Sequence, residues 1–385
     1  MRLFVLLPRV PYPIEKGDKL RAYHQLQVLS EEHEVILCAL SEEKIHPDAY
    51  TKLIDIVDKV HFIPFSKFHS ASNIFKALIN GNPLQVGYYT NNKARRKINA
   101  LLEFYKPDHI YAQLLRVAEY VKGHAVNKTL DYQDAFSSNI RRRGAKEFFL
   151  LRPLFNFESR RLKKYEREIF NYFDNKTIIS VPDREMIDHP EKDKIVVVPN
   201  GVDTSFFYPR KEEKSYDIVF IGNMNYPPNV YGAEYLVKSV LPLVQKERPN
   251  TKVLLSGANP HARVKALAGK HVTVSGWVDD IRNSYASARI FIAPMQIGTG
   301  LQNKLLEAMA MKLPCITSPL ANGSLNATEE DEILIGNTPE EYAGHILDLL
   351  QNEEQRYSLA ENGYNFVLEN YDWYQATKKL EKLMK

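Results

Sequence analysis

The chain has 385 residues, of which 44% are apolar and 25% charged, with a formal net charge of +4. This length exceeds one ordinary hydrophobic core and favours two domains, while so small a net charge gives no argument for nucleic acid as a partner. No run of about 18 apolar residues is present, and "MRLFVLLP" at the amino end is too short for a signal peptide. Cys38 and Cys315 lie in apolar runs, which is typical of core residues in a reducing compartment. A cytoplasmic protein is expected.

The first half of the chain alternates β-rich runs with helical patterns. Leucine or tyrosine at positions 20, 23, 26 and 29 gives one apolar face to a helix predicted over 18–30. The predicted strands cover 2–7, 34–40, 60–65, 108–112, 128–132, 176–181 and 194–198.

The second half repeats this alternation. Its predicted strands cover 216–222, 251–257, 272–276, 289–294, 314–318 and 332–336, with helices at about 230–247, 301–311 and 339–351. Strands separated by helical crossovers form parallel sheets covered on both faces. The fold class expected is therefore α/β.

A domain boundary is predicted in "VPNGVDTSFFYPRKEEKSYD", residues 198–217, where a turn signal, two prolines and a charged run follow one another. We expect two doubly wound, Rossmann-like domains, 1–205 and 206–369, facing across a cleft. A helix over about 370–385 is expected to pack back on the first domain. In such sheets, ligands bind beyond the carboxyl ends of the strands.

The stretch "GTGLQNKLLEAMAMKLPCI", residues 298–316, carries the main candidate site. Glycines after a strand and before a helix, predicted to start near Leu301, let an anion approach unpaired backbone N–H groups. Lys304 adds a cation, and Glu307 lies on the same helix face one turn on, where it can accept from sugar hydroxyls. The candidate donor-binding residues here are Gly298, Thr299, Gly300, Leu301, Gln302, Asn303, Lys304 and Glu307. The simpler interpretation is an exposed Lys304–Glu307 helix pair preceded by a turn.

Several motifs in order resemble the retaining glycosyltransferases of the GT-B fold, glycosyltransferase family 4, also called glycosyl transferases group 1. They are "VPNGVDTSFFYP", "FIGNMNYPPNVYGAEYL", "VTVSGWVDDI", the 298–316 stretch and the terminal "YDWYQATKKLEK". The amino end, "LLPRVPYPIEKGDKLRAYHQLQVLSEEHEV", resembles the branch that builds exopolysaccharide and other cell-surface glycans. The resemblance covers nearly the whole chain.

This resemblance implies a nucleoside-diphosphate sugar donor, with UDP- and GDP-sugars expected first, and a glycan or lipid-linked acceptor. It implies that Glu307 binds the donor ribose and Lys304 its diphosphate, with Trp277 and Val278 beside the base. A buried core role for Trp277 is the alternative. Neither a cofactor nor a metal is expected, because no Asp-x-Asp or zinc-type spacing occurs.

Three positions depart from the family pattern. Thr299 stands where many members carry a second glutamate, Asn223 where many carry a diphosphate-binding arginine, and Gln113 nearest to a frequent histidine. These departures keep open a second hypothesis, a catalytically weak nucleotide-sugar-binding scaffold subunit. A sugar-nucleotide epimerase, which shares the architecture, is a third. An NAD-dependent dehydrogenase is disfavoured because the first strand is not followed by G-x-G-x-x-G.

The first domain offers two further candidate sites. By resemblance, the loop with Gly17, Asp18 and Lys19 meets a donor phosphate or the acceptor; the alternative is a turn at Gly17 with Asp18 as helix N-cap. Asp131 and Asp134 follow a strand in "DYQDAFSSN" and are candidates to orient or deprotonate an acceptor hydroxyl. Capping of the loop is the alternative role for them.

The segment 141–168 combines ten Arg and Lys residues with four Glu. Phe148, Phe149, Phe155 and Phe157 interleave with these charges, as on a surface that contacts an anionic membrane or a lipid diphosphate. Nothing in it resembles a nucleic-acid-binding module. The alternative is a solvated helix face whose aromatic side chains pack inward. We expect a cytoplasmic protein that contacts the inner face of the cell membrane peripherally.

Overall fold

The computed structural model describes residues 1–42, 44–64, 73–74, 77, 79–146 (only the backbone of 146), 148–297 and 300–385. The chain divides into two compact units. Unit 1 comprises Met1–Asn200 and Trp373–Lys385, and unit 2 comprises Gly201–Asp372. Within these described ranges, no helix has the length and apolar character needed to cross a membrane.

Unit 1 is built on a parallel sheet with seven strands in the order β3-β2-β1-β4-β5-β6-β7. The strands are β1 Arg2–Leu7, β2 Glu34–Ser41, β3 Lys59–Pro64, β4 His109–Gln113, β5 Asn127–Asp131, β6 Asn175–Ile178 and β7 Val196–Val197. Side chains of β1 alternate between two cores, with Phe4 and Leu6 in one and Leu3 and Val5 in the other. Burial on both faces is why these strands read as continuous apolar runs.

Helices cover both faces of this sheet. They are α1 Gly17–Leu29, α2 Ala49–Ile54, α3 Leu84–Tyr89, α4 Asn92–Tyr105, α5 Leu115–Val121, α6 Phe136–Lys146, α7 Arg152–Ile169 and α8 Val181–Met186. The buried side of α1 carries Arg21 and Gln25 besides Leu26 and Leu29, so its inner face is less apolar than the sequence pattern indicates.

Unit 2 is built on a second parallel sheet, with six strands in the order β10-β9-β8-β11-β12-β13. The strands are β8 Tyr216–Ile221, β9 Val253–Ser256, β10 Val272–Gly276, β11 Ala288–Ala293, β12 Cys315–Thr317 and β13 Leu334–Ile335. Both sheets confirm the predicted α/β class of two doubly wound parallel sheets. Cys38 in β2 and Cys315 in β12 are buried, as their apolar surroundings predict.

The helices of unit 2 alternate with its strands. They are α9 Pro227–Tyr235, α10 Leu241–Glu247, α11 Ala262–Lys265, α12 Ile281–Ala286, α13 Asn303–Ala310, α14 Pro319–Leu325, α15 Pro339–Gln351 and α16 Glu353–Asn370. A π-helical turn, Leu236–Val240, joins α9 to α10. The predicted helix at 230–247 is thus one nearly continuous helical run with a bulge.

The last helix, α17 Trp373–Met384, belongs to unit 1 rather than to the unit that precedes it in the chain. It packs on α1, where Trp373 stacks on His24 with ring centroids 5.0 Å apart. Lys378 forms an ion pair of 2.6 Å with Glu32, just beyond α1. The carboxyl end of the chain therefore completes the core of unit 1.

Candidate functional site

The sheet of unit 2 changes its direction of winding between β8 and β11. From β8 the chain moves outward through β9 and β10, then returns to place β11 on the other side of β8. In open α/β sheets, the crevice at the carboxyl ends of the two strands flanking such a switch point is where ligands bind. The loops after Ile221 and after Ala293 both start at this point.

Two glycines allow the backbone to pack closely there. A Cβ atom at Gly222 would lie 2.5 Å from Asn229 Nδ2 and 3.1 Å from Lys304 Nζ. Gly257, with a φ of +135°, would place a Cβ atom 1.9 Å from the carbonyl oxygen of Gly222. Larger residues at either position would displace the lysine or separate the ends of β8 and β9.

Lys304 is held at this crevice by contacts from α9 and β8. Its Nζ donates to Oδ1 of Asn229 and lies 4.9 Å from the centre of the Phe220 ring. Asn229 is fixed in turn, since its Nδ2 donates to the carbonyl oxygen of Asn223 at 2.9 Å. Burial lowers the pKa of Lys304 to about 7. The amine is thus poised to gain a proton when an anion arrives.

Glu307 lies one turn further along α13 and is oriented by a buried tyrosine. The hydroxyl of Tyr285 donates to Oε2 of Glu307 at 2.7 Å and also approaches the carbonyl oxygen of Lys304 at 3.3 Å. Burial raises the pKa of Glu307. No residue that the structure describes donates to Oε1, so this oxygen is left to accept from a ligand.

The simpler interpretation, an exposed ion pair between Lys304 and Glu307, does not describe these residues. No oxygen of Glu307 lies within 4.0 Å of Lys304 Nζ, and each side chain has its own partner, Asn229 or Tyr285. Both side chains are partly buried at the end of the sheet. A polar pair directed to neighbouring elements fits a ligand site better than a solvated helix face.

The loop before α13 differs from the prediction at the helix start. The helix begins at Asn303 and not near Leu301, because Gln302 is extended and its Nε2 bonds back to the carbonyl oxygen of Gly300 at 2.7 Å. Leu301 packs against the core of unit 2. Gly298 and Thr299, both predicted to contact the donor, lie outside the described residues.

Other predicted donor-site residues lie at neighbouring strand ends. Asn223, directly after β8, is exposed, and its Oδ1 accepts from the backbone N–H of Asn225 at 3.1 Å. Trp277 follows β10 and is 65% exposed, so a core role for this residue is wrong. Val278, next to it, is partly buried. An exposed indole at a strand end is free to stack on a planar ligand.

Two residues of the site were missed at the sequence level. Asn229 and Tyr285 hold Lys304 and Glu307, yet they precede these residues by 75 and 22 positions. Neither "NYPPNV" nor "NSYASA" has a pattern that marks its residue as part of a site. Contacts this distant in the chain do not appear in local periodicity.

The predicted loop of unit 1 is arranged differently from the alternatives considered for it. Asp18 is not the N-cap of α1, because the helix begins at Gly17 and Lys16 is the cap position. Asp18 instead pairs with Arg9 at 2.6 Å. Lys19 lines a cavity of about 230 Å³ at the carboxyl ends of β1 and β2, together with Arg9 and His46.

Asp131 is held by an ion pair and by hydrogen bonds to neighbouring buried residues. It is fully buried, pairs with Arg21 at 2.7 Å, and accepts from the hydroxyls of Tyr111 at 2.9 Å and Thr177 at 3.0 Å. Arg21 also donates to Asn200 Oδ1 at 3.0 Å. With its oxygens closed to solvent, we do not assign Asp131 a role in the reaction.

Asp134 differs from Asp131 because it is partly exposed. Burial, with Asp183 and then Glu166 nearby, raises its pKa to about 7. A carboxyl group of this pKa is suited to exchange a proton near neutral pH. Gln113, at the end of β4, is buried, and among the described residues its Nε2 has no hydrogen-bond partner. Over those same residues, no group of His, Cys, Asp and Glu has a metal-binding arrangement.

Comparisons with known proteins agree with this arrangement. Residues 215–352 match the family model described as glycosyl transferases group 1. The chain is 25% identical over 392 residues to an uncharacterized 44.6 kDa protein in the cps region of Klebsiella pneumoniae, covering 96% of each.

Two solved structures share the fold at low sequence identity. Sucrose-phosphate synthase from Thermosynechococcus elongatus matches with a TM-score of 0.74 and 15% identity, covering 100% of this chain and 98% of that one. Anabaena HepE, solved in complex with UDP, matches with a TM-score of 0.70 and 12% identity, covering 99% of each chain. Residues 215–352 thus form a glycosyl transferases group 1 domain, and the two parallel-sheet units have the GT-B fold of these solved structures.

Proposed function

We propose that this chain transfers a sugar, with retention of anomeric configuration, from a nucleoside-diphosphate sugar to a hydroxyl of a glycan or lipid-linked glycan in cell-surface polysaccharide synthesis. The observation that carries the proposal is the pairing of Lys304 with Asn229 and of Glu307 with Tyr285 at the switch point of unit 2. This arrangement presents a cation and a carboxylate to one crevice.

The two groups suit the two polar parts of a nucleoside diphosphate. When the bond between the anomeric carbon and the diphosphate breaks, the diphosphate leaves with the electron pair and gains negative charge. Lys304 would stabilise this charge as an ammonium ion, and Glu307 Oε1 would accept from the ribose hydroxyls. The exposed indole of Trp277 would stack on the base.

The donor and pathway are supported by relatives. HepE, with the same fold, binds UDP, and the similar Klebsiella pneumoniae protein is encoded in a cps region. Retention is inferred from the family resemblance of the motifs. UDP- and GDP-sugars are the donors proposed, with no cofactor and no metal.

A nucleotide panel tests the donor half of the proposal. UDP, GDP, dTDP and CDP are compared by thermal shift, since a ligand at 100 times its Kd stabilises the fold by about 2.7 kcal/mol. Only two tryptophans are present, and Trp373 is buried, so quenching of the exposed Trp277 should accompany binding. If no nucleoside diphosphate raises Tm or changes fluorescence, the proposed donor site is wrong.

Turnover distinguishes the enzyme from its rivals. We expect nucleoside diphosphate release that depends on a glycan acceptor, with an NMR coupling constant in the product showing the donor's anomeric configuration. Donor binding without turnover for any acceptor would favour a scaffold subunit. Conversion of the donor without an acceptor would favour an epimerase.

Tyr285→Phe should weaken nucleotide binding without unfolding the protein. The variant keeps the buried ring but removes the hydroxyl that orients Glu307. A hydrogen bond to a charged group is worth about 1.5–3 kcal/mol, so titration calorimetry should show a Kd about 10- to 100-fold higher. Tyr342→Phe is the matched control, because its ring is equally buried and its Oη has no hydrogen bond among the described residues. An unchanged Kd for Tyr285→Phe would contradict the role given to Glu307.

We also propose that the protein contacts an anionic membrane peripherally through the 148–157 surface, defined as Phe148, Phe149, Leu150, Leu151, Leu154 and Phe157. Four of these side chains, 148–151, are consecutive and 45–66% exposed. The inward-packing alternative holds only for Phe155, whose Cβ lies against Gly144. A contiguous apolar patch on a protein surface marks an interaction site.

The charges around this surface favour anionic lipid. Arg141, Arg143, Arg152 and Arg160 are exposed beside it. Two of the acidic residues in the segment point away: Glu158 accepts from the backbone of residues 84 and 85, and Glu166 from Ser137. Burial of these glutamates leaves the exposed side more basic than the composition of 141–168 indicates. Basic and aromatic side chains together suit a membrane interface.

Phe149→Ser/Leu150→Ser should detach the protein from vesicles. Each fully buried apolar side chain contributes about 1.5–3 kcal/mol, so the partition coefficient onto phosphatidylglycerol-containing vesicles should fall about tenfold or more. Phe104→Ser is the matched control, since Phe104 is 76% exposed but lies in α4, outside the 148–157 surface. Equal binding to vesicles of phosphatidylcholine alone, or equal loss with the control, would refute the proposal.

A further inference from the structure

The sheet of unit 1 has its own switch point, between β1 and β4. From β1 the chain moves outward through β2 and β3, then returns to place β4 on the other side of β1. Two arginines follow the strands that flank this point: Arg9 after β1, and Arg116 in the first turn of α5 after β4. By the same rule as in unit 2, a ligand is expected at these strand ends.

Arg116 is placed between two aromatic rings. The centre of its guanidinium lies 5.2 Å from the ring of Tyr89 and 5.1 Å from that of Phe136. Its Nη2 donates to Oε1 of Gln85 at 3.1 Å, while its buried Nε has no partner among the described residues. The two rings and the hydrogen bond to Gln85 together hold the guanidinium in place.

No carboxylate of the described residues neutralises this guanidinium. Asp18 and Asp134 are near enough to act on it, but neither has an oxygen within 4.0 Å of its nitrogens. Asp18 is already paired with Arg9 at 2.6 Å. Burial, and after it the nearby charge of Arg9, lowers the pKa of Arg116, while Asp18 and Asp134 act in the opposite direction. Arg116 is partly buried and its Nε is shielded from solvent, so an unpaired charge there is costly to the fold, and a bound anion would offset that cost.

We propose that Arg116 binds an oxyanion carried by the acceptor, a phosphate or a carboxylate, and thereby selects acidic or phosphorylated acceptors. The guanidinium fork matches the geometry of both groups. Asp134, near Arg116, is then placed to contact a hydroxyl of the same acceptor. This inference rests on the proposed glycosyl transfer for its acceptor, but the binding of the anion itself does not depend on turnover.

The first experiment measures anion binding directly. Inorganic phosphate and acetate are added to the full chain at constant ionic strength, with chloride as reference, and Tm is recorded. The anions should raise the Tm of the wild type, and the increase should be much smaller in Arg116→Gln. Arg95→Gln is the matched control, because Arg95 also lies over a tyrosine ring but donates to the carbonyl oxygen of Glu119 at 2.7 Å. A full shift in Arg116→Gln overturns the proposal.

The second experiment uses initial rates with acceptor glycans that carry a phosphate, a uronic acid carboxylate or neither group. Arg116→Gln should raise KM at least tenfold for whichever charged acceptor is used, leaving the donor KM, the rate of donor hydrolysis and the neutral acceptor unchanged. The acceptor affected identifies the anion. A rise in the donor KM instead would assign Arg116 to the donor and overturn the proposal.

Folding of the variants is a further check. Without a counterion to lose, Arg116→Gln should unfold at the same Tm as the wild type or higher in the absence of added anions. Arg116→Lys keeps the charge but not the fork, and should retain part of the anion shift. A large fall in Tm for both variants would show that Arg116 is a structural residue and would overturn the proposal.

Discussion

Lys304→Met is expected to raise the Kd for the nucleoside diphosphate about 10- to 100-fold, because a hydrogen bond to a charged group contributes about 1.5–3 kcal/mol. The methionine keeps the buried stem beside Phe220 while removing the ammonium group. Lys312→Met is the matched control, since Lys312 follows the same helix but pairs with Glu361 at 2.6 Å. Its Kd should equal that of the wild type.

The pH dependence of binding gives a second, independent test of the role of Lys304. Burial lowers its pKa to about 7 in the free protein, and a bound diphosphate favours the protonated form, so binding takes up a proton above this pH. The affinity should fall as pH rises from about 7 to 9. Calorimetry at pH 8 in buffers of different ionisation enthalpy measures the proton uptake, which Lys304→Met should abolish. Proton uptake that persists in the variant would assign the titration to another group.

Asp131→Asn is expected to lower the free energy of unfolding by about 3–5 kcal/mol, because it leaves Arg21 as an uncompensated buried charge. Both side chains of this pair are 0% exposed. Urea denaturation measures the loss. Asp188→Asn is the matched control: its ion pair with Lys163 is about half exposed, so the change should stay within about 1 kcal/mol.

A double variant distinguishes a structural role of Asp131 from a catalytic one. Arg21→Met/Asp131→Leu removes both charges and should recover much of the stability, since apolar pairs often replace buried ion pairs without loss. If Asp131→Asn instead unfolds like the wild type but loses turnover, the residue has a catalytic function, as its place after β5 first suggested.

The strands could be predicted from the sequence because both sheets are parallel and covered on both faces. Each strand then reads as an unbroken apolar run, such as "RLFVLL" or "RIFIAP", with a helical pattern after it. The order of the strands within each sheet could not be predicted in this way. The adjacency of β1 to β4 and of β8 to β11 depends on contacts between distant segments, and these adjacencies create both switch points.

The candidate site was predictable in its chemistry but not in its geometry. Lys304 and Glu307 stand out because they share a helix face after a glycine loop. Their partners Asn229 and Tyr285 come from other helices, and one residue, Gln302, shifts the helix start through its own side chain. At Asp131 the reverse holds, since a residue 110 positions away turns an apparent catalytic carboxylate into a structural one.

The return of α17 to unit 1 has a consequence for how the chain acquires its structure during synthesis. Unit 2 begins and ends at one place, where the N–H of Val202 donates to the carbonyl oxygen of Tyr371 at 2.9 Å, so it is an insertion within unit 1. Domains fold largely in the order in which they emerge from the ribosome. Here unit 1 is complete only when residues 373–385 have been synthesised, whereas all of unit 2, residues 201–372, emerges before them. Until α17 is synthesised, the core of unit 1 lacks Ala376, Leu380 and Met384, which α17 contributes to it.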